Sequence, residues 1–208
     1  VAPPDHTQPI TYAVINHEDF RTPLLLPEVF PQAEVQQQIF DRSGTLYATL
    51  YQVPPGSEPA LPPTTVDDAV WADHVRFRGY ALPSARQQDT VPTYLPGDFV
   101  PVRVWWQPLA PLAEDWTFFA HLLTPDGQFL SGRDQQPGNG SYPTSRWRVN
   151  DWIVDEVQLP LPADSTPGEY ELEIGFYRAD GTRLPVTTGG DTVDDRLLIG
   201  PVRVGTAP

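Results

Sequence analysis

The 208-residue chain contains no cysteine and no lysine. Without cysteine it can form neither a disulfide nor a thiolate metal site, which fits an extracytoplasmic bacterial domain. Without lysine, all 13 basic residues are arginines, set against 27 acidic ones, for a formal net charge of −14. No basic stripe can hold phosphates, so nucleic acid is excluded as a partner and docking on anionic lipid is disfavoured. The charge serves solubility. No apolar run reaches the ~18 residues that a membrane-spanning helix needs, so the chain has no transmembrane segment of its own. It begins at Val1 with neither Met nor a signal peptide and is expected to be a processed or trimmed product.

What is present points to β-structure. There are 26 Pro and 15 Gly, which predict many turns and few long helices. Six Trp, eight Tyr and nine Phe are enough for a substantial core. From Trp71 onward, strand signals recur between turns: "VWADHVRFRGYAL", "PGDFVPVRVWWQ", "DWTFFAHLL", "QFLSGRD", "WIVDEVQLPLP", "PGEYELEIGFYR", "TRLPV" and "RLLIGPVRV". Alternation in "DWTFFAHLL" puts Phe118, Ala120 and Leu122 on one face and Phe119 and His121 on the other. "TPDG" reads as a type I turn closing a hairpin. In "EYELEIGFY", Tyr170, Leu172, Ile174 and Phe176 are predicted to be buried, with Glu171 and Glu173 facing water.

About eight strands with no helix between them predict an all-β, two-sheet antiparallel sandwich of the Ig-like or fibronectin-III-like kind. Tyr170 starts a late strand after "PADSTPGE", where a tyrosine corner would bond back to upstream backbone; Leu172 stands where an Ig domain has its cysteine. Residues 1–53 read as a small β-α-β appendage. Its strands are "ITYAVI" and "TLYATLYQV", and "QAEVQQQIF", with Val35 and Ile39 at helical spacing, could form two turns of helix. Residues 54–68, opening "PPGSEPALPPTT", form a Pro-rich linker, and residues 69–208 form the sandwich.

The sequence has no nucleophile-elbow, P-loop or dinucleotide-binding motif. His6, His17, His74 and His121 are scattered, so no helical zinc pair exists. The acidic pairs Asp67–Asp68, Asp155–Glu156 and Asp194–Asp195 read as solvated turn or strand carboxylates; neighbours on a strand such as Asp155 and Glu156 point to opposite faces. No cofactor is expected. Turns at "GGDTVDD" and "DGQ" could gather oxygens for calcium, although no EF-hand pattern is present. "NGS" at Asn139 matches a glycosylation sequon and reads as an exposed turn.

The remaining candidate surrounds the long segment "QQPGNGSYPTSRWRVND", residues 135–151. Trp105, Trp106, Trp116, Tyr142, Trp147 and Trp152 could offer flat faces to sugar rings, while Arg133, Asp134 and His121 bond hydroxyls. The carbohydrate-binding set is thus Tyr142, Trp147, Trp152, Arg133, Asp134 and His121. On the other reading of these residues, the tryptophans plug the core and Arg133–Asp134 pins the loop to the hairpin.

"WADHVRFRGYAL", "YLPGDFVPVRVWWQ", "DWTFFAHLLTPDGQFLSGRD", "YPTSRW" and "DWIVDEVQLPLPADSTPGEYELEIGFYRADGTRLPV" follow in order over residues 69–204. Together they resemble the extracytoplasmic β-sandwich at the C-terminus of bacterial polytopic membrane glycosyltransferases, of the dolichyl-phosphate-mannose–protein mannosyltransferase type. "PITYAVINHEDFRTP" and "VFPQAEVQQQIFDRSGTLYATLYQV" resemble the segment joining the last membrane spans to that sandwich. The resemblance implies a membrane-tethered accessory domain whose partner is the membrane-embedded part of its parent. It also implies that the parent's catalytic acidic residues lie in a loop between early membrane spans, outside this chain. It leads one to expect Gly where Asn150 stands. A structural or protein-interaction sandwich that binds no sugar is the alternative, and an independent hydrolase ranks last.

Overall fold

The computed structural model describes residues 8–19, 22–66, 68–84 and 91–206. His6 and Asp67 lie outside that set, as do the side chains of residues 191–193 in "GGDTVDD". The chain divides into two compact units, residues 1–61 with 150–154, and residues 62–149 with 155–208. The first division falls at Leu61, inside the Pro-rich stretch.

In the first unit, strands β1 (Ile10–Ile15), β2 (Glu34–Phe40) and β3 (Leu46–Val53) form an antiparallel sheet in the order β1-β3-β2. A short helix, α1 (Thr22–Val29), follows β1. The Asp19 carboxylate accepts the Thr22 backbone N–H at 2.9 Å and the Thr22 hydroxyl at 2.6 Å, satisfying donors that a helix start leaves open. Pro23 sits in the first turn, where a missing N–H costs nothing, and Pro27 comes only two residues before the end. Leu26, Val29 and Phe30 bury against Val53, with Tyr12, Ala33 and Tyr51 packed around them.

The small helix expected in this region is therefore present, but earlier in the chain. "QAEVQQQIF" supplies β2 instead. The Asp41 carboxylate caps a tight turn at Ser43 and Thr45, which sends the chain back along β3. Pairing Val35 with Tyr51 and Ile39 with Ala48 steps through a bulge at Gln36. Val35 and Ile39 are both exposed, so their spacing of four marks no buried helical stripe.

The second unit, together with Ile153 and Val154 at the start of one strand, is a two-sheet sandwich. Its strands are β4 (Thr64–Thr65), β5 (Val70–Trp71), β6 (Val75–Ala81), β7 (Thr93–Tyr94), β8 (Phe99–Pro108), β9 (Thr117–Leu123), β10 (Phe129–Gln135), β11 (Ile153–Pro160), β12 (Gly168–Tyr177), β13 (Val186–Thr188), β14 (Asp191–Asp194) and β15 (Leu197–Val204). One sheet has the order β10-β9-β12-β15-β7, the other β11-β8-β6-β5-β13-β14 with β4 on β6. β15 and β7 pair in parallel, an exception in an otherwise largely antiparallel pattern. "TRLPV" contributes less strand than expected: Arg183 makes a lone bridge to Tyr177, and β13 starts only at Val186.

The inner faces meet through aromatic rings. Trp106 lies 4.9 Å from Phe176 and 5.5 Å from Phe118, and Trp71 stands edge-on to Trp106 at 5.3 Å. Such edge-to-face pairs add ~0.5–1.5 kcal/mol each beyond burial. Val100, Val102, Val104 and Trp106, at every second position of "FVPVRVWW", are fully buried. The tyrosine corner also forms: the buried Tyr170 hydroxyl donates to the Thr166 carbonyl at 2.8 Å. Asn150 adopts φ +68°, a left-handed conformation that Asn tolerates better than most residues and that Gly would also take.

Candidate functional site on the outer sheet face

The long segment after β10 folds into two short 3-10 turns, Pro137–Gly140 and Thr144–Arg146. It is tied down by specific bonds. The buried Thr144 hydroxyl donates to the Glu114 carbonyl at 2.9 Å and accepts the Trp116 N–H at 2.8 Å. The Gly138 N–H donates to the buried Asp155 carboxylate at 3.0 Å, and the Ser145 N–H to Asp115 at 3.1 Å. Trp147, only 4% exposed, donates its indole N–H to the Tyr142 carbonyl at 3.0 Å and stands edge-on to Phe176 at 6.2 Å.

Trp147 is therefore a plug at the end of the core and presents no free ring face to a sugar. Trp105 and Trp106 are buried as well, and half-buried Trp116 is covered by the Arg178 guanidinium, 5.3 Å from its ring. Trp152 is buried and groups with the first unit. Tyr142 is half-buried within the loop. Asn139 is exposed in the first turn, with φ +55°.

Asp134 and His121, by contrast, do come together, on the outer face of the five-stranded sheet. β9 sits between β10 and β12, and its register sets Gly132, His121 and Glu173 in one row across the strands. The next row holds Asp134, Phe119 and Gly175. His121 Nδ1 lies 2.8 Å from Glu173 Oε1, and its Nε2 lies 2.9 Å from Asp134 Oδ1. Ionised carboxylates only accept, so with both charged both ring nitrogens donate. The Tyr177 hydroxyl donates to Asp134 Oδ2 at 3.0 Å, and Arg196 Nη1 donates to Glu173 Oε2 at 2.6 Å. Arg196 also reaches Asp194 at 3.4 Å. Arg183 lies 4.6 Å above the Phe119 ring and 3.3 Å from Asp195.

Two glycines make room for these rings. A Cβ on Gly132 would stand 2.5 Å from His121 Cδ2, and one on Gly175 would stand 2.5 Å from Phe119 Cζ. The missing side chains let both rings lie across the neighbouring strands. Phe129, 63% exposed, stands edge-on to His121 at 5.1 Å and marks one side of the face. Leu198, in register with Glu173, is the exposed apolar residue on the other side.

Glu173 corrects the expectation that it faces water: it lies on the outer face yet is buried beneath His121 and Arg196. Burial alone would raise its pKa. Hydrogen bonds from His121 and Arg196, with their charges, outweigh burial and hold it below the ordinary value. Burial and the bond to Asp134 raise that of Tyr177, so its hydroxyl stays a donor. Arg133 neighbours Asp134 on β10 and by strand alternation points to the opposite face. Asp134 takes His121 and Tyr177 as partners, so the expected Arg133–Asp134 clasp on the loop is replaced by cross-strand bonds.

Glu173, Tyr177 and Arg196 were not singled out from the sequence. They lie 52, 56 and 75 positions after His121, and the only local hint is the "E-x-E-x-G" alternation opposite "FFAH". Asp155 and Glu156 point apart as predicted, but Asp155 is not a solvated carboxylate as expected: it is buried and accepts the Gly138 N–H, while Glu156 binds Arg103 Nε and Nη2 at 2.9 and 2.8 Å. Among the described residues no group of three or more His, Asp or Glu side chains is placed to hold a metal ion. Among them, too, no helix is long and apolar enough to cross a membrane.

Beside this face, along Leu197–Pro201 of β15, a cleft of about 270 Å³ opens against Thr64, Val66 and Tyr80, with Glu171 at its rim. The Tyr80 hydroxyl accepts the Gly200 N–H at 3.2 Å and donates to the Gly200 carbonyl at 3.3 Å, fixing one wall.

No protein-family model matches the chain, and no characterised protein sequence matches it either. Among solved structures it is similar to the C-terminal domain of Wzt at 17% identity, over 71% of this chain and 83% of that chain, with a TM-score of 0.48. It is similar also to a Niemann-Pick type C2 protein from the Japanese carpenter ant at 9% identity, over 65% of this chain and 99% of that chain, with a TM-score of 0.40. Neither likeness assigns a ligand.

Proposed function

We propose that the chain is a non-catalytic, extracytoplasmic accessory domain of a membrane glycosyltransferase of the dolichyl-phosphate-mannose–protein mannosyltransferase type. Its sandwich contacts glycan through the outer face of the five-stranded sheet. The order of motifs over residues 69–204 supports the parentage. The observation that carries the glycan contact is the exposed outer face itself, where carboxylate, guanidinium, imidazole and phenol groups are held in fixed positions between exposed Phe129 and Leu198. Sugar recognition needs that pairing of oriented polar groups with apolar surface for the ring C–H faces. The sheet backbone and the cross-strand bonds preorganise the groups, so little ordering entropy is lost on binding.

A glycan array probed with the chain tests this. The wild type is expected to bind, and Asp134→Ala or Phe129→Ala to lose at least tenfold in affinity while remaining folded. Absence of binding across the array would overturn the glycan contact. It would then favour a purely structural or protein-interaction sandwich, a reading to which the self-paired charges and the plugged loop also lend themselves.

A further inference from the structure

We infer that the cleft beside β15 is a subsite for a single neutral pyranose ring at one end of the glycan-binding face, an inference that rests on the glycan reading above. Size comes first. An apolar cavity of ~150 Å³ accepts a benzene ring, so about 270 Å³ suits one six-membered ring with its substituents rather than several residues of a chain.

The wall chemistry then selects the ring. Val66, Leu198 and Pro201 supply apolar surface for a C–H face, Thr64 supplies a hydroxyl, and Tyr80, whose proton is held by the Gly200 carbonyl, supplies an acceptor oxygen. Among the described residues, Glu171 is the only ionisable acid or base on the lining, apart from the Tyr80 phenol. Among the described residues it has no ion-pair partner, unlike Glu173 two positions later, which holds both His121 and Arg196. An ionised carboxylate with its acceptor positions open suits two adjacent hydroxyls, each donating to one oxygen. A uronate or other anionic sugar would bring its charge against Glu171 in a chain of net charge −14, so the subsite selects neutral rings. Position supports continuity: Leu198 is in register with Glu173, so the cleft adjoins the row that carries His121.

The test is an amide-resonance titration of the full chain with methyl glucoside, methyl galactoside, methyl mannoside, glucuronate and glucosamine, followed by Glu171→Gln and Leu198→Trp. At least one neutral glycoside is expected to shift Leu198, Ile199 and Gly200, and glucuronate is not. Glu171→Gln should weaken that glycoside about tenfold, as a charge-assisted bond becomes a neutral one. Leu198→Trp, at an exposed position, should fill the cleft and abolish the shifts. Binding that survives both variants, or shifts confined to Phe129 and Asp134, would overturn the cleft while leaving the glycan reading intact. Preference for glucuronate or glucosamine would overturn the neutral class. No response to any sugar, with an array also blank, would overturn both.

Discussion

Strand β12 carries two different kinds of construction on its two faces. Its inward residues Tyr170, Leu172, Ile174 and Phe176 are all buried, and they hold the strand by volume and ring contact. Its outward residues Glu173 and Gly175 are also buried, but the first is covered by His121 and Arg196 and the second lies under the Phe119 ring. One face is stabilised by excluding water, the other by pairing charge in a thin layer that leaves Asp134, Arg196 and Phe129 at the surface. A sandwich face of the second kind can meet a polar ligand without giving up its fold.

Substitutions along this one strand separate the two constructions. The largest effect is expected from Phe176→Ala, which removes the ring touching Trp71, Trp106, Phe118 and Trp147. It should cost about 3–5 kcal/mol in urea unfolding, from lost transfer energy plus a cavity. Glu173→Gln should cost less, and its cost should depend on pH. Because the folded pKa of Glu173 lies below the ordinary 4.5, its stabilisation is fully present above that value. It is lost as pH falls through the lower folded value. The gap between wild type and variant should therefore be wide at neutral pH and close in acid. A gap that stays constant into acid would show that charge pairing does not hold this face. The smallest effect is expected from Tyr170→Phe, which keeps the ring and removes one hydrogen bond to Thr166, for about 1 kcal/mol.

Local pattern made the inward face of β12 readable from the sequence. Strict alternation, the "TPDG" turn and the position of Tyr170 are short-range signals, and each corresponds to an observed element. The outer face was only half readable. His121 and Asp134 belong to one hairpin and could be associated by proximity in the chain. Their partners Glu173, Tyr177 and Arg196 depend on the register between β9 and β12 and on the turn before β15, which no local pattern encodes. The aromatic count misled for a related reason: tryptophan near a loop signals either a platform or a plug, and only burial distinguishes them, as Trp147 illustrates. β2 shows the same limit. Val35 and Ile39 fit a helical spacing, yet the Asp41 turn and the pairing with β3 override it.

The most direct test of the outer face is calorimetric titration of the best array glycan into wild type and Asp134→Ala, alongside urea unfolding of both. Asp134 is two-fifths exposed, so removing its carboxylate is expected to change stability by no more than about 1 kcal/mol while lowering glycan affinity at least tenfold. Unchanged affinity in the variant would contradict the assignment of this face to glycan contact.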